Sequence, residues 1–173
     1  MAVAPDDYAV HCAKTRVLES EHQIREAIIE AEHCARLNPS HAGAYLLLAI
    51  DHFFLPEPKA TLEFVQRGMR VSPRDPRMPV LLTFKGWAHF QLHQDEEAVL
   101  WLLQAVASAP ENPTALAALA SVLALTGRDA EAHAAMAKYL ASKNTRTRTI
   151  AQWNYGPDDN SAFREFSVRF KSG

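Results

Sequence analysis

Small residues recur along this chain at a fixed step, and that recurrence restricts the fold more than any other feature. Within residues 82–110, LTFKGWAHFQLHQDEEAVLWLLQAVASAP, apolar positions follow helical spacing on both sides of a polar segment, HQDEE. Gly86 falls in the first half, Ala98 and Ala105 in the second, and Pro110 closes the stretch. Antiparallel helices whose backbones approach closely need small side chains where they cross. Trp87, Phe90, Leu92, Val99, Trp101, Leu102 and Leu103 then fill the space between crossings. The spacing predicts a helical hairpin. Asp95 is the expected N-cap of its second helix, with Glu96 and Glu97 in the first turn at the positive end of the dipole.

A step of 34 residues carries Gly86 to Ala120, Ala98 to Ala132 and Leu82 to Leu116. The segment reached, PTALAALASVLALTGRDAEAHAAMAKYLASKN, predicts a second hairpin, with Gly127 ending its first helix and Asp129 capping the next. In the other direction Pro73 takes the place of Pro110, so that Ala49, Thr61 and Gly68 match Gly86, Ala98 and Ala105 at an offset of 37. The three extra residues fall in SPRDPRMP, a loop between units. A further 34 residues back, Pro39 closes IREAIIEAEHCARLNP, with Ala27 and Cys34 at the small positions and Thr15 at the crossing of the helix before it. Alternating apolar patterns are nearly absent. The class is all-α, with units at about 8–41, 42–78, 79–112 and 113–146 and a tail over 147–173. In the tail Phe163, Phe166 and Phe170 fall on one face of a short helical pattern.

A formal net charge of −2 gives no electrostatic bias toward nucleic acid or an anionic membrane surface. No apolar run approaches the roughly 20 residues of a spanning helix. The opening MAVAPDDYAV lacks the basic start and apolar core of a secretory leader. Cys12 and Cys34 are too few for a disulfide framework and have neither zinc-ribbon nor Cys-x-x-Cys spacing. The expectation is a pair of reduced thiols in the cytoplasm, Cys34 acting as a small buried apolar residue.

A hairpin of this length, with a small residue midway along the first helix, two in the second and a closing proline, resembles the tetratricopeptide repeat. The resemblance is close over residues 42–146 and looser over 8–41, with His52 and His89 where that family often has tyrosine and Gly68 in place of a usual alanine. It implies a right-handed superhelix whose first helices line a concave, partner-binding surface. A narrower resemblance, carried by VSPRDPRMP, by the stretch from GWAHFQLHQDEEAVLWLLQAVASAPENP to GRDAEAHA and by the aromatic tail, is to the C-terminal region of bacterial class III nucleotide cyclases or winged-helix regulators. Neither a cyclase nor a winged-helix sequence is present, so the resemblance implies a regulatory fragment and no activity of its own.

His89 and His93 stand at i, i+4, but a zinc site needs a third ligand and no His-Glu-x-x-His motif supplies one. No phosphate loop or nucleophile elbow occurs, so neither an enzyme nor a cofactor is expected. Counting from the small position along each first helix, the groove-facing residues are Arg16, Glu19, Leu46, Ile50, Phe53, Thr83, Trp87, Phe90, Ser121 and Ala124. Members of the family that grip a terminal carboxylate use lysine, arginine and asparagine at such places, and only Arg16 answers to that here. The expected site is thus an open apolar groove centred on Phe53, Trp87 and Phe90, receiving a protein or peptide partner. Self-association is an alternative use of the same surface. Trp153, Tyr155, Phe163, Phe166 and Phe170 are expected to cap the last hairpin, since terminal repeats need covering.

Overall fold

The computed structural model describes residues 7–142. Over them run eight α-helices: α1 (Tyr8–Ser20), α2 (Ile24–Leu37), α3 (Ala42–Phe54), α4 (Pro58–Val71), α5 (Met78–Gln91), α6 (Asp95–Ser108), α7 (Pro113–Leu125) and α8 (Asp129–Ala141). Consecutive helices pair as four hairpins, and each hairpin packs on the next. The odd-numbered helices also touch one another in sequence, α1 on α3, α3 on α5 and α5 on α7. They form an inner layer, and the even-numbered helices lie outside it. The aromatic tail positions 153, 155, 163, 166 and 170 lie outside the described residues.

The small residues hold this packing together. Thr15, Ala49 and Ala120 are fully buried at equivalent crossings, as are Ala27, Thr61 and Ala98 on the outer helices. Gly86 is the tightest crossing. A Cβ there would stand 2.6 Å from Leu102 Cγ and 3.0 Å from the Ala98 carbonyl oxygen, inside van der Waals contact with side chain and backbone alike. Gly68 is looser, its nearest neighbour being Leu81 Cδ2 at 3.4 Å. Polar residues within the crossings are satisfied locally. The hydroxyls of Thr15, Thr61, Thr83 and Ser121 donate to the carbonyls of His11, Glu57, Pro79 and Ala117, each one turn back on its own helix.

The turns within hairpins share a backbone conformation. His22, His93 and Gly127 occupy equivalent places and all have left-handed φ, of 60°, 58° and 76°. The histidines before two of these turns brace them. His52 Nδ1 donates to Glu57 Oε2 at 2.6 Å, and His89 Nδ1 to Gln94 Oε1 at 2.7 Å, tying each first helix to the start of the second.

Two local expectations are corrected. Asp95 and Asp129 are the first helical residues of α6 and α8, while Gln94 and Arg128 hold the N-cap positions without side-chain capping bonds. Both carboxylates still face the positive end of the helix dipole. Cys12 and Cys34, expected as free thiols, form a disulfide across the α1–α2 crossing. Both point into the seam between the two helices, with Cα atoms 5.4 Å apart, a separation that a disulfide spans. This bond removes one ground of the cytoplasmic expectation, the pair of reduced thiols, since disulfides persist in oxidising surroundings. Among the described residues no helix is long and apolar enough to cross a membrane.

Candidate functional site

The expected groove residues all lie on the four inner helices, and their accessibility divides them. Phe53 and Trp87 are 4% and 6% exposed, so the apolar centre is closed rather than open. The cause is mutual reach. Phe53 meets Phe84 edge-on at 5.3 Å and Trp87 at 5.9 Å, and Trp87 meets half-buried Phe90 edge-on at 6.0 Å. Aromatic rings on successive inner helices are long enough to bridge the layer and pack on one another. Thr83 and Ser121 are fully buried, their hydroxyls turned onto their own helices. Half-buried Ala124 packs against the same central cluster.

Openness lies toward the N-terminal end. A cavity of about 400 Å³ sits between α1, α3 and the start of α5, and it takes in Arg16, Glu19, Leu46 and Ile50 from the expected set. Leu46, Leu47, Ile50 and Val80 give it apolar walls. Polar groups stand at its edges, and sequence counting did not find most of them. His41 N-caps α3, and Arg77 directly precedes α5. Arg77 is held in a fork by Asp75, with Nε to Oδ1 at 2.9 Å and Nη2 to Oδ2 at 2.8 Å, which leaves Nη1 directed elsewhere. This pairing keeps the Asp75 carboxyl below its ordinary range. Gly43 makes room for both cavity groups: a Cβ there would lie 2.5 Å from His41 Nε2 and 2.7 Å from Arg77 Nη1. Burial, reinforced by the Arg77 charge, pushes the His41 imidazole below its usual pKa and favours its neutral form.

Beneath the cavity, Glu19 of α1 meets Asp51 of α3. Asp51 is fully buried, and neither of its carboxylate oxygens has a donor; Glu19 Oε1 is also buried without one. The two carboxyls are near enough that the charge of Glu19 opposes ionisation of Asp51. Burial, with the neighbouring Glu19 charge, pushes Asp51 up to about 8. Burial also raises Glu19, partly opposed by Arg16. Asp51 interrupts the apolar run YLLLAIDHFF, and that interruption was the sequence signal for it.

The disulfide borders the cavity through Cys12, while Cys34 is fully buried behind it. His33 and His11 lie nearby with ring centres 5.2 Å apart, and His11 donates to Glu30 at 2.7 Å. Away from this region, His89 is committed to Gln94 and stacks on Trp101, whose other neighbour is the Lys85 ammonium, 3.4 Å from the ring centre. The arrangement around the cavity suits recognition. It places two guanidinium groups and an imidazole over an apolar floor.

No family model matches the chain, and no curated protein does. Solved structures do. A thermophilic TPR protein of Thermus thermophilus, TTC0263, superposes with a TM-score of 0.73 at 20% identity, over 96% of this chain and 83% of that one. MamA residues 41 to the end, from Desulfovibrio magneticus RS-1, gives 0.67 at 16% identity over 82% and 80%. YrrB, described as a TPR protein with an unusual peptide-binding site, gives 0.61 at 18% identity over 96% and 78%. These likenesses carry the fold and lend no support to the narrower resemblance to cyclase-type regulators. With four stacked hairpins and these structural neighbours, the chain has an all-α helical-repeat fold of the tetratricopeptide type.

Proposed function

We propose that this chain is a non-enzymatic interaction module, acting as one repeat array that seats an extended segment of a partner protein in its concave face. The observation that carries this reading is the 400 Å³ cavity between α1, α3 and α5, with Arg16 and Arg77 beside an apolar floor of Leu46, Leu47, Ile50 and Val80. Such a site accommodates one apolar side chain and a neighbouring carboxylate, because Arg16 and the Arg77 Nη1 that its fork with Asp75 leaves over stand beside the apolar walls as donors. The peptide-binding site described for YrrB supports the same use of this architecture. The buried aromatic centre then acts as the wall that holds the inner helices at their spacing.

Trp87 is a poor probe of binding, since truncating a buried tryptophan costs about 3–5 kcal/mol of stability. Ile50 is better, being half-buried and part of the cavity wall. Fluorescent peptides in which an apolar residue is flanked by acidic or by basic residues should separate by charge. The acidic set binds, and its affinity falls as salt rises. Ile50→Arg fills the cavity and should weaken that binding at least about tenfold while the helical circular dichroism is retained. Equal binding by a folded Ile50→Arg variant rejects this site.

A further inference from the structure

Cys12, Cys34 and His41 place two sulfurs and an imidazole nitrogen within 4.8 Å of one another. They arrive from three places in the fold: the middle of α1, the last turn of α2 and the residue that caps α3. The imidazole is held there by its surroundings. The Tyr8 ring lies 5.2 Å from it, centre to centre, and the missing side chain of Gly43 leaves it room across the start of α3.

We propose that, when the Cys12–Cys34 bond is reduced, these three residues bind a divalent cation of the zinc class, so that the first hairpin is closed either by a disulfide or by a metal. Two thiolates and an imidazole are a donor set that selects zinc-like ions over magnesium or calcium. The proposal is independent of any peptide in the cavity.

In the conversion a dithiol attacks Sγ of Cys12, which borders the cavity, and the buried Cys34 sulfur leaves. The second thiol of the reductant resolves the mixed disulfide. The protein's S–S bond is broken, the reductant's is formed, and two electrons and two protons have passed to Cys12 and Cys34. Zinc then displaces both thiol protons to water and forms two Zn–S bonds and one Zn–N bond. Tetrahedral Zn–S bonds of about 2.3 Å set the sulfurs about 3.8 Å apart. Once the S–S bond is broken, rotation about the two cysteine side chains parts the sulfurs toward that distance, beside an imidazole nitrogen that already lies within 4.8 Å of both. Cys12 and His41 both border the cavity, which leaves the fourth position for water. Two thiolates neutralise the ion, and the neighbouring Arg16 and Arg77 therefore face no net positive charge.

The test compares the full chain in oxidised form with the chain reduced by a phosphine, which supplies the same two electrons, leaves as the phosphine oxide with an oxygen from water, and does not compete for zinc as a dithiol does. Zinc alone is titrated against a chromophoric chelator, and cobalt replaces it for spectroscopy. The reduced chain should bind one equivalent at least about 100-fold more tightly than the oxidised chain, with a thiolate-to-cobalt charge-transfer band in the near ultraviolet. His41→Ala should lose about tenfold or more in affinity and shift the cobalt spectrum, whereas the His89→Ala, His93→Ala double variant should match the wild type. Cys12→Ser should reduce binding to the oxidised level. Should that variant not fold, the wild-type redox comparison and His41→Ala still decide. Equal zinc affinity in the two redox forms, or an unchanged cobalt spectrum in His41→Ala, overturns the proposal.

Discussion

Asp51 shows how one side chain can set a pH dependence for the whole inner layer. Its carboxyl is raised to about 8 in the folded protein, against an ordinary value of 3.8. Below both values Asp51 is protonated in folded and unfolded chains alike, and the group imposes no penalty. As pH rises between them the unfolded chain releases its proton while the folded chain keeps it. Unfolding is therefore favoured, by up to about 1.4 kcal/mol per pH unit. Above pH 8 the loss levels off. Asp51→Asn removes this titration and leaves the depressed carboxyls of Asp75 and Glu30 untouched. Urea unfolding of both proteins at pH 5 and pH 8 should show the variant gaining on the wild type as pH rises. Parallel profiles would mean that Asp51 titrates as an ordinary carboxyl in the folded chain.

At the scale of the element, the crossings make a sharper test than the helices themselves. Alanine is favoured over glycine within a helix by about 1 kcal/mol. At Gly68, where the added carbon would meet Leu81 at 3.4 Å and Tyr45 Cβ at 3.5 Å, both ordinary van der Waals contacts, Gly68→Ala should be neutral or slightly stabilising. At Gly86 the same carbon would collide with Leu102 and with backbone. Gly86→Ala should therefore destabilise by about 1–3 kcal/mol despite its better propensity. Thermal melts of the two variants should move in opposite directions, and a stabilised Gly86→Ala would show that α5 and α6 are not in the close contact described.

The same contrast explains what was legible in the sequence. Repeating small residues report helix crossings directly, because only a small side chain satisfies that geometry, and so the hairpins and the all-α class could be read from Gly86, Ala98, Ala120 and Ala132. The cavity could not. Arg77 sits in SPRDPRMP, the segment that carries the three extra residues and that a repeat count passes over as loop. His41 and Gly43 flank the start of α3, also outside the counted positions. The disulfide needs α1 and α2 to be docked before Cys12 and Cys34 become neighbours. Counting assigned Phe53 and Trp87 to the groove side, yet a face count does not show that rings on adjacent inner helices bury one another.

For the whole molecule, a repeat array is held by contacts between neighbours, and a local bond should therefore act locally. The Cys12–Cys34 bond closes a segment of sequence separation 22 within the first hairpin, a loop whose cross-linking stabilises by about 3 kcal/mol. Hairpins three and four share no residue with that loop, and their own cores, around Leu102 and Leu116, are fully buried. Reduction in the absence of metal should consequently lower the opening free energy of α1 and α2 while leaving α5 to α8 nearly unchanged. Amide hydrogen exchange reads this residue by residue. The expected result is a loss of protection concentrated in residues 8–37, a smaller loss in α3, which packs against both α1 and α2, and little change beyond residue 78. A uniform loss along the chain would show that the four hairpins open as one cooperative unit. In that case the disulfide would act on the stability of the whole array, and the N-terminal cavity could not be opened or closed separately from the aromatic layer behind it.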